Sequence, residues 1–260
     1  MKKVIAIGDN CIDDYVRQSK KYAGGCSVNF SIYMAQFGVS SSYMGAVGTD
    51  DNGKIILDTL SGHGVDISQV HVMNGKTAVT EVELINHDRK FLSYEKGVME
   101  DFSLNDDDIS YICGFDMVHT SVYGEIDHYL PKFSRKVKIG YDFGDKLEYN
   151  ARNDILHLID YAFFSYKQDD SYIRSYLEDA YSYGLRCVIA TLGENGSIAY
   201  DGSNFYREGI HKVETVDTIG AGDSFIAGFL FGMLENRKVE ECLAMGAARA
   251  EQTIQHFGAI

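Results

Sequence analysis

The chain has 260 residues and a mass of 29.0 kDa, enough for one large domain with a sizeable core. Hydrophobic residues are 45% and charged residues 24%, which is a soluble globular composition and not a disordered one. A net charge of −14 argues against nucleic acid and against an anionic membrane as partners, but not against a nucleotide, because backbone N–H groups make phosphate sites locally.

The longest uncharged run, Tyr22 to Thr49, holds five Gly and five Ser and is too polar to span a membrane. After Lys2-Lys3, the apolar run Val4–Ile7 stops at Gly8-Asp9. It is too short for a secretory leader and reads as a first buried strand. The five cysteines, Cys11, Cys26, Cys113, Cys187 and Cys242, form no C-x-x-C pair and read as thiols of a cytoplasmic protein.

In chain order, Ser27–Phe37 reads as a helix with Phe30, Tyr33 or Met34, and Phe37 on one face. Ser42–Val47 reads as a strand, and Lys54–Ser61 as a helix stopped by Gly62-His63-Gly64. Residues 77–96 alternate in part around the polar turn Asn86-His87-Asp88-Arg89 and predict a hairpin, an excursion from the main sheet. Arg89 reads as a solvated tip. Four short apolar strands follow at Met117–Thr120, Lys138–Asp142, Tyr161–Ser165 and Cys187–Thr191, with helical stretches between them. Such alternation predicts a mostly parallel sheet covered on both faces. Ser197–Tyr200 and Gly202–Tyr206 predict a further hairpin, and Ser224–Leu234 and Val239–His256 two final helices.

Several motifs fail. Gly48 to Ile55 imitates a phosphate loop, but Ile55 cannot ligate Mg²⁺ and two Asp inside it repel phosphate. Gly220-Ala-Gly222-Asp-Ser-Phe225 lacks the third glycine of a dinucleotide fingerprint. The eight His have no metal-ligand spacing, and no serine-hydrolase elbow is present.

The most informative stretch is Asp217-Thr-Ile-Gly220-Ala-Gly222-Asp223-Ser-Phe-Ile-Ala-Gly-Phe229. Phe225, Ile226, Phe229, Leu230 and Met233 share a helical face, so a buried helix is expected to start near Ser224, with Gly220-Ala-Gly222 as the turn leading in. Glycine amides beside a helix N-terminus suit an anion. Asp223 there would repel a phosphate, which fits a proton acceptor; the plainer alternative is a helix cap.

This stretch resembles the C-terminal signature of the ribokinase-like (PfkB) sugar kinases. Gly24-Gly25-Cys26-Ser27-Val28-Asn29 resembles their Gly-Gly signature, and Gly45-Ala-Val-Gly48-Thr-Asp50-Asp-Asn-Gly53 and Thr191-Leu-Gly193-Glu-Asn-Gly196 follow in the family's order. Ile7–Asp13, Gly97-Val-Met, Tyr141–Lys146 and Thr253–Ala259 resemble the bacterial branch of that family that acts on fructoselysine.

The resemblance implies a single three-layer α/β/α domain over 1–260 with a mostly parallel sheet and a β lid at about 10–22 and 75–97. It implies ATP as phosphoryl donor with Mg²⁺ and a sugar acceptor, most simply the 6-hydroxyl of fructoselysine. Another sugar or a nucleoside, or a catalytically silent sugar-binding protein, are the alternatives. Asp223 takes the general-base position. Gly220, Ala221 and Gly222 form an anion hole. Asp9, Asp13, Gly24, Gly25 and Asn29 contact the sugar, and Thr191, Gly193 and Gly196 the nucleotide. Asp217 and the Ile219 carbonyl match a monovalent-cation site, K⁺ in particular, although Asp217 also reads as a strand-end cap. The family's Asn-x-x-Glu, which organises Mg²⁺, is replaced here by Ser165-Tyr-Lys-Gln168-Asp169-Asp170, so the metal-organising residue stays open between Asp169, Asp170 and the ATP phosphates alone. A homodimer paired through the lid is also implied.

Overall fold

The computed structural model describes residues 2–18, 20–85, 88–210 and 213–260, and the side chains of all of these except 84, 85 and 88–91. The elements are β1 (Lys3–Ile7), β2 (Cys11–Tyr15), β3 (Lys20–Gly24), α1 (Cys26–Gln36), β4 (Ser40–Met44), β5 (Ala46–Gly48), α2 (Asp51–Gly62), β6 (His71–Met73), β7 (Val79–Ile85), β8 (Asp88–Glu95), α3 (Asp106–Ile112), β9 (Met117–Ser121), α4 (Leu130–Phe133), β10 (Lys138–Asp142), α5 (Arg152–Leu156), β11 (Tyr161–Ser165), α6 (Ser171–Tyr181), β12 (Cys187–Thr191), β13 (Ser197–Tyr200), β14 (Phe205–Glu208), α7 (Ala221–Leu234) and α8 (Val239–Thr253).

Eight strands form the central sheet in the order β14-β13-β12-β11-β10-β9-β1-β4. Strands β4, β1, β9, β10, β11 and β12 run parallel, and β13 and β14 add an antiparallel edge. Their short apolar runs have no polar face because both faces are covered. Along β1, Val4 and Ala6 pack with the helices α1, α2, α7 and α8, while Ile5 and Ile7 pack with α3 to α6. Helix α7 is apolar nearly all round because it lies between α1 and α8, and a Cβ at Gly228 would come within 2.6 Å of the Met245 carbonyl on α8.

A second sheet, in the order β3-β2-β7-β8, carries the 77–96 hairpin. It joins the segment after β1 to that hairpin through the parallel pair β2 and β7. The Asn86-His87 turn and the Arg89 side chain lie outside the described residues. At the sheet's root, Asp50 caps α2 by accepting from the Gly53 amide and also holds Thr77, whose hydroxyl donates to it at 2.6 Å and whose amide at 3.1 Å. The pseudo-phosphate-loop around Gly48 and Gly53 is therefore a structural corner.

Some boundaries differ from expectation. Ser42–Val47 is two strands: the chain leaves the main sheet at Gly45, and β5 pairs instead with β6. The last hairpin resumes at Phe205, because Gly202 sits in the turn against the Tyr181 ring. Helix α8 ends at Thr253 and not at His256. Helix α7 begins at Ala221, so Ala221 and Gly222 lie in its first turn and Gly220 is the N-cap. Among the described residues, no helix is long and apolar enough to cross a membrane.

Candidate active site

In an open parallel sheet the crevice lies beyond the strand C-termini, where the strand order reverses. Here the chain leaves β1 for β4 on one side and returns to β9 on the other. Asp9 sits at that point. Its Oδ1 accepts from the Ser27 hydroxyl at 3.0 Å, the Ser121 hydroxyl at 3.2 Å and the Ser27 amide at 3.3 Å, and its Oδ2 from the Cys26 amide at 2.6 Å. The carboxylate thus occupies the N-terminus of α1, where an anion is favoured. Burial pushes its pKa up, against those hydrogen bonds.

Asp13 lies on β2, opposite Tyr22 and beside Gly24 on β3. A Cβ at Gly24 would come within 2.3 Å of Asp13 Oδ2, so the carboxylate crosses space that only hydrogen leaves open. Gly25 has φ +106, and a Cβ there would meet the Asn10 Cα at 2.6 Å. The Gly-Gly pair therefore lets the acidic strand lie directly on the start of α1.

Asn29, one turn into α1, donates from Nδ2 to Asp223 Oδ2 at 2.7 Å. Among the described residues its buried Oδ1 has no hydrogen-bond partner, nor has Oδ1 of Asn10, whose Nδ2 serves Tyr43 and the Ala46 carbonyl. Asn29 is thus no surface residue.

Gly220 takes φ +72 at the N-cap of α7, and a Cβ would come within 2.6 Å of Ala259 and 2.8 Å of the Tyr33 hydroxyl. The C-terminal segment is packed against this loop, with the Tyr33 hydroxyl donating to the Ala259 carbonyl. Asp223 is the third residue of the helix and Gly220 has no side chain, so Asp223 is not the capping residue. First-turn amides of a helix have no partner within it. The Ala221 amide reaches back to the Thr218 carbonyl at 3.3 Å, while Gly222 has open space before it.

Asp223 also faces Asp142, at the end of β10, and Cys26, at the start of α1. These three bring ligand-type atoms within 4.8 Å of one another. Burial, followed by Asp223, Asp9 and Asp145, pushes the Asp142 carboxyl up to about 7, although it accepts from the Gly144 amide at 2.8 Å. Burial, with Asp223, Asp9 and Asp142 beside it, pushes the Cys26 thiol well above its ordinary range.

Asp217 is buried. It accepts from the Tyr15 hydroxyl at 2.9 Å, the Ile219 amide at 3.0 Å and the Gly258 amide at 3.2 Å. It ties β2, the glycine loop and the C-terminal segment together.

On the other side of the α7 N-terminus lies a cavity of about 710 Å³. Thr191, Gly193 and Gly196 line it, with Ala221, Gly222 and Phe225 of α7 and Ala250 and Ile254 of α8 or just beyond it. An apolar cleft with a helix N-terminus at one end suits a nucleotide. Of the acids weighed for the metal, Asp169 is paired with Arg174 at 2.7 and 2.8 Å and with Arg207 at 3.1 Å. Asp170 caps α6 through the Ile173 amide. Both serve local structure, Asp169 as an ion-pair hub and Asp170 as a helix cap.

The sequence-predicted residues therefore fall into two groups. Asp9, Asp13, Gly24, Gly25, Asn29 and Asp223 lie around the switch point, and Thr191, Gly193 and Gly196 around the cleft. The first turn of α7 is shared. Sequence reasoning gave no role to Asp142, Cys26 and Asn10, which lie inside the Tyr141–Lys146, Gly24–Asn29 and Ile7–Asp13 matches, and it did not single out Ser121. The signal for Asp142 and Ser121 was their place at the ends of apolar parallel strands.

The sequence matches the family model described as pfkB family carbohydrate kinase over residues 3–137 and 151–260. The chain belongs to this family. Among relatives of this pfkB chain, the fructoselysine 6-kinase of Escherichia coli (strain K12) is 40% identical over 260 residues, with both chains covered completely. The fructosamine kinase FrlD of Bacillus subtilis (strain 168) is 34% identical over 264 residues, covering 99% of this chain and 92% of its own. The Arabidopsis thaliana ribokinase complexed with ribose and ATP shares the pfkB chain's fold, with a TM-score of 0.87 at 22% identity over 99% of this chain and 93% of its own.

Proposed function

We propose that this pfkB carbohydrate kinase transfers the γ-phosphoryl group of ATP to the 6-hydroxyl of fructoselysine. The observation that carries the transfer is the position of Asp223: buried, hydrogen-bonded to Asn29, and on the helix turn that also borders the large cleft. The full-length identity of 40% to a fructoselysine 6-kinase supports the acceptor.

In this reading Asp9, Asp13, Gly24, Gly25 and Asn29 hold the sugar, and Asp9 also holds the start of α1. Asp223 takes the proton as the hydroxyl oxygen bonds to phosphorus. The bond from the γ-phosphorus to the bridging oxygen breaks and ADP leaves with its electron pair. The amides at Gly220, Ala221 and Gly222 receive the transferring group; most of the catalysis is positioning and charge stabilisation. Thr191, Gly193 and Gly196 flank the nucleotide. Mg²⁺ would be held by the ATP phosphates and would supply neutralisation of their charge. The β2-β3-β7-β8 sheet acts as a lid that excludes water.

The reading also includes a monovalent cation beside Asp217 and the Ile219 carbonyl; activity indifferent to K⁺ removes it. It includes a cytoplasmic location, where ATP and reduced thiols belong. It includes a homodimer through the lid, supported by the exposed Val16, Leu92 and Tyr94 there. A monomer by light scattering removes that part.

The test is a coupled ADP-release assay over fructoselysine, other fructosamines, fructose, ribose and nucleosides. Fructoselysine is expected to give the highest kcat/KM. A higher value for fructose, ribose or a nucleoside keeps the kinase and changes the acceptor. No ADP from any acceptor leaves a silent sugar-binding protein.

A further inference from the structure

We propose that Asp142 recognises the amine that joins sugar to amino acid, and so sets the preference for a fructosamine over a plain sugar. This rests on the fructoselysine reading above and gives a role to a residue that lies in the Tyr141–Lys146 match but receives none from it.

Asp142 is 8% exposed and ends β10 beside Cys26 and Asp223. The charged groups facing it are Asp223 of α7, Asp9 after β1 and Asp145 in the following loop, with the neutral Cys26 thiol of α1. Among the described residues, no Lys or Arg forms an ion pair with it, and its hydrogen bond is the one from the Gly144 amide. A buried carboxylate without a counter-charge is costly. A second observation points to what completes it. Asn29 is 3% exposed and spends its Nδ2 on Asp223, while its Oδ1 has no partner among the described residues. Asp223, which faces Asp142 and is bonded to Asn29, links the two groups, so this part of the site offers a hydrogen-bond acceptor and negative charge. The complementary ligand brings donors and one positive charge. A secondary ammonium on a polyol does both, whereas fructose brings hydroxyls alone. A charge-assisted hydrogen bond to a buried acid discriminates strongly against a ligand that lacks the charge.

The plainer role for Asp142 is to hold the Gly144 turn, which an asparagine Oδ1 also does. Wild type and Asp142→Asn are assayed on fructoselysine, 1-amino-1-deoxyfructose and fructose, with melting temperatures for both proteins. The variant is expected to lose about a hundredfold more in kcat/KM on the two amines than on fructose, the difference appearing mainly in KM. Equal losses on all three, or no loss, overturn the proposal. A wild-type protein that prefers fructose to both amines overturns the fructoselysine reading and this proposal together. A wild type that prefers amines, with the ratio unchanged in the variant, overturns this proposal alone. If the variant does not fold, the wild type decides: from pH 8 to pH 6 the KM for fructoselysine rises as Asp142 is protonated, and that for fructose does not. A fructoselysine KM that stays flat overturns the proposal.

Discussion

Asn29 and Asp223, 194 positions apart, meet through a 2.7 Å hydrogen bond that joins the first turns of α1 and α7. The bond fixes the amide with its Nδ2 toward the carboxylate and keeps Asp223 as an acceptor. A general base needs this arrangement: a held carboxylate with one oxygen steadied and the proton still to come.

Asp223→Asn retains size and helical position. It removes the proton acceptor and leaves the amides of the first α7 turn in place. A fall of ~10²–10⁴-fold in kcat is expected, as for loss of a general base. ATP affinity is expected to hold or tighten, because a negative charge beside the phosphates is gone. The check is kcat, ATP affinity and melting temperature together; near-wild-type kcat would take Asp223 out of the chemistry.

Gly24→Ala tests whether Asp13 and the Gly-Gly turn belong to the sugar site. The new Cβ would lie 2.3 Å from Asp13 Oδ2 and 2.9 Å from its Cγ, so the carboxylate has to swing away. Overpacking of this kind costs about 1–3 kcal/mol of stability. The KM for sugar is expected to rise with the KM for ATP unchanged. Unaltered sugar kinetics in a folded variant would argue that Asp13 does not touch the sugar.

These two residues also show what was legible in the sequence. The strands β1 and β9 to β12 announce themselves as apolar runs, because a doubly covered parallel strand has no polar face. Gly24, Gly25, Asn29 and Asp223 were visible in short signatures. The break at Gly45 was not: a Cβ there would lie 2.1 Å from the Tyr43 hydroxyl, a close approach made by the fold that no periodicity reports. Asp142 is one acid at the end of a strand, and only the approach of α1 and α7 gives it neighbours. Asp169 and Asp170 looked available for a metal because the arginines that hold Asp169 come from positions 174 and 207.

The second sheet is tied to the rest of the molecule at places that sugar binding would tighten. Tyr15 on β2 donates to Asp217 at 2.9 Å, and Lys96 beyond β8 meets Glu125 at the surface. Amides of β7 and β8 are expected to exchange faster without ligand and to gain protection with sugar bound. Hydrogen exchange with and without sugar measures this. Equal protection in both states would mean that the sheet does not close as a lid. Tyr15→Phe is expected to reduce the protection gained, since the Asp217 tie is cut.

His119 gives a pH prediction with a definite sign. It is buried in the middle of β9 and stacked on Phe30 of α1, with ring centroids 4.1 Å apart. Burial lowers its pKa to about 3, from an ordinary 6.5. As pH falls below 6.5, the unfolded chain takes up a proton that the folded chain refuses, so stability is lost down to about pH 3. Asp142 acts oppositely. Burial raises it to about 7 from an ordinary 3.8, so the folded chain takes the proton first and stability is gained as pH falls from 7 to 3.8. Between about pH 4 and 6.5 the two contributions oppose each other. His119→Leu removes one and leaves the other. Relative to wild type, the variant is expected to gain ~1.4 kcal/mol for each pH unit of acidification across that window. Urea unfolding of both proteins at pH 6.5, 5.5 and 4.5 measures the gap. A gap independent of pH would mean that His119 titrates alike in the folded and unfolded chains, and that β9 admits its charge.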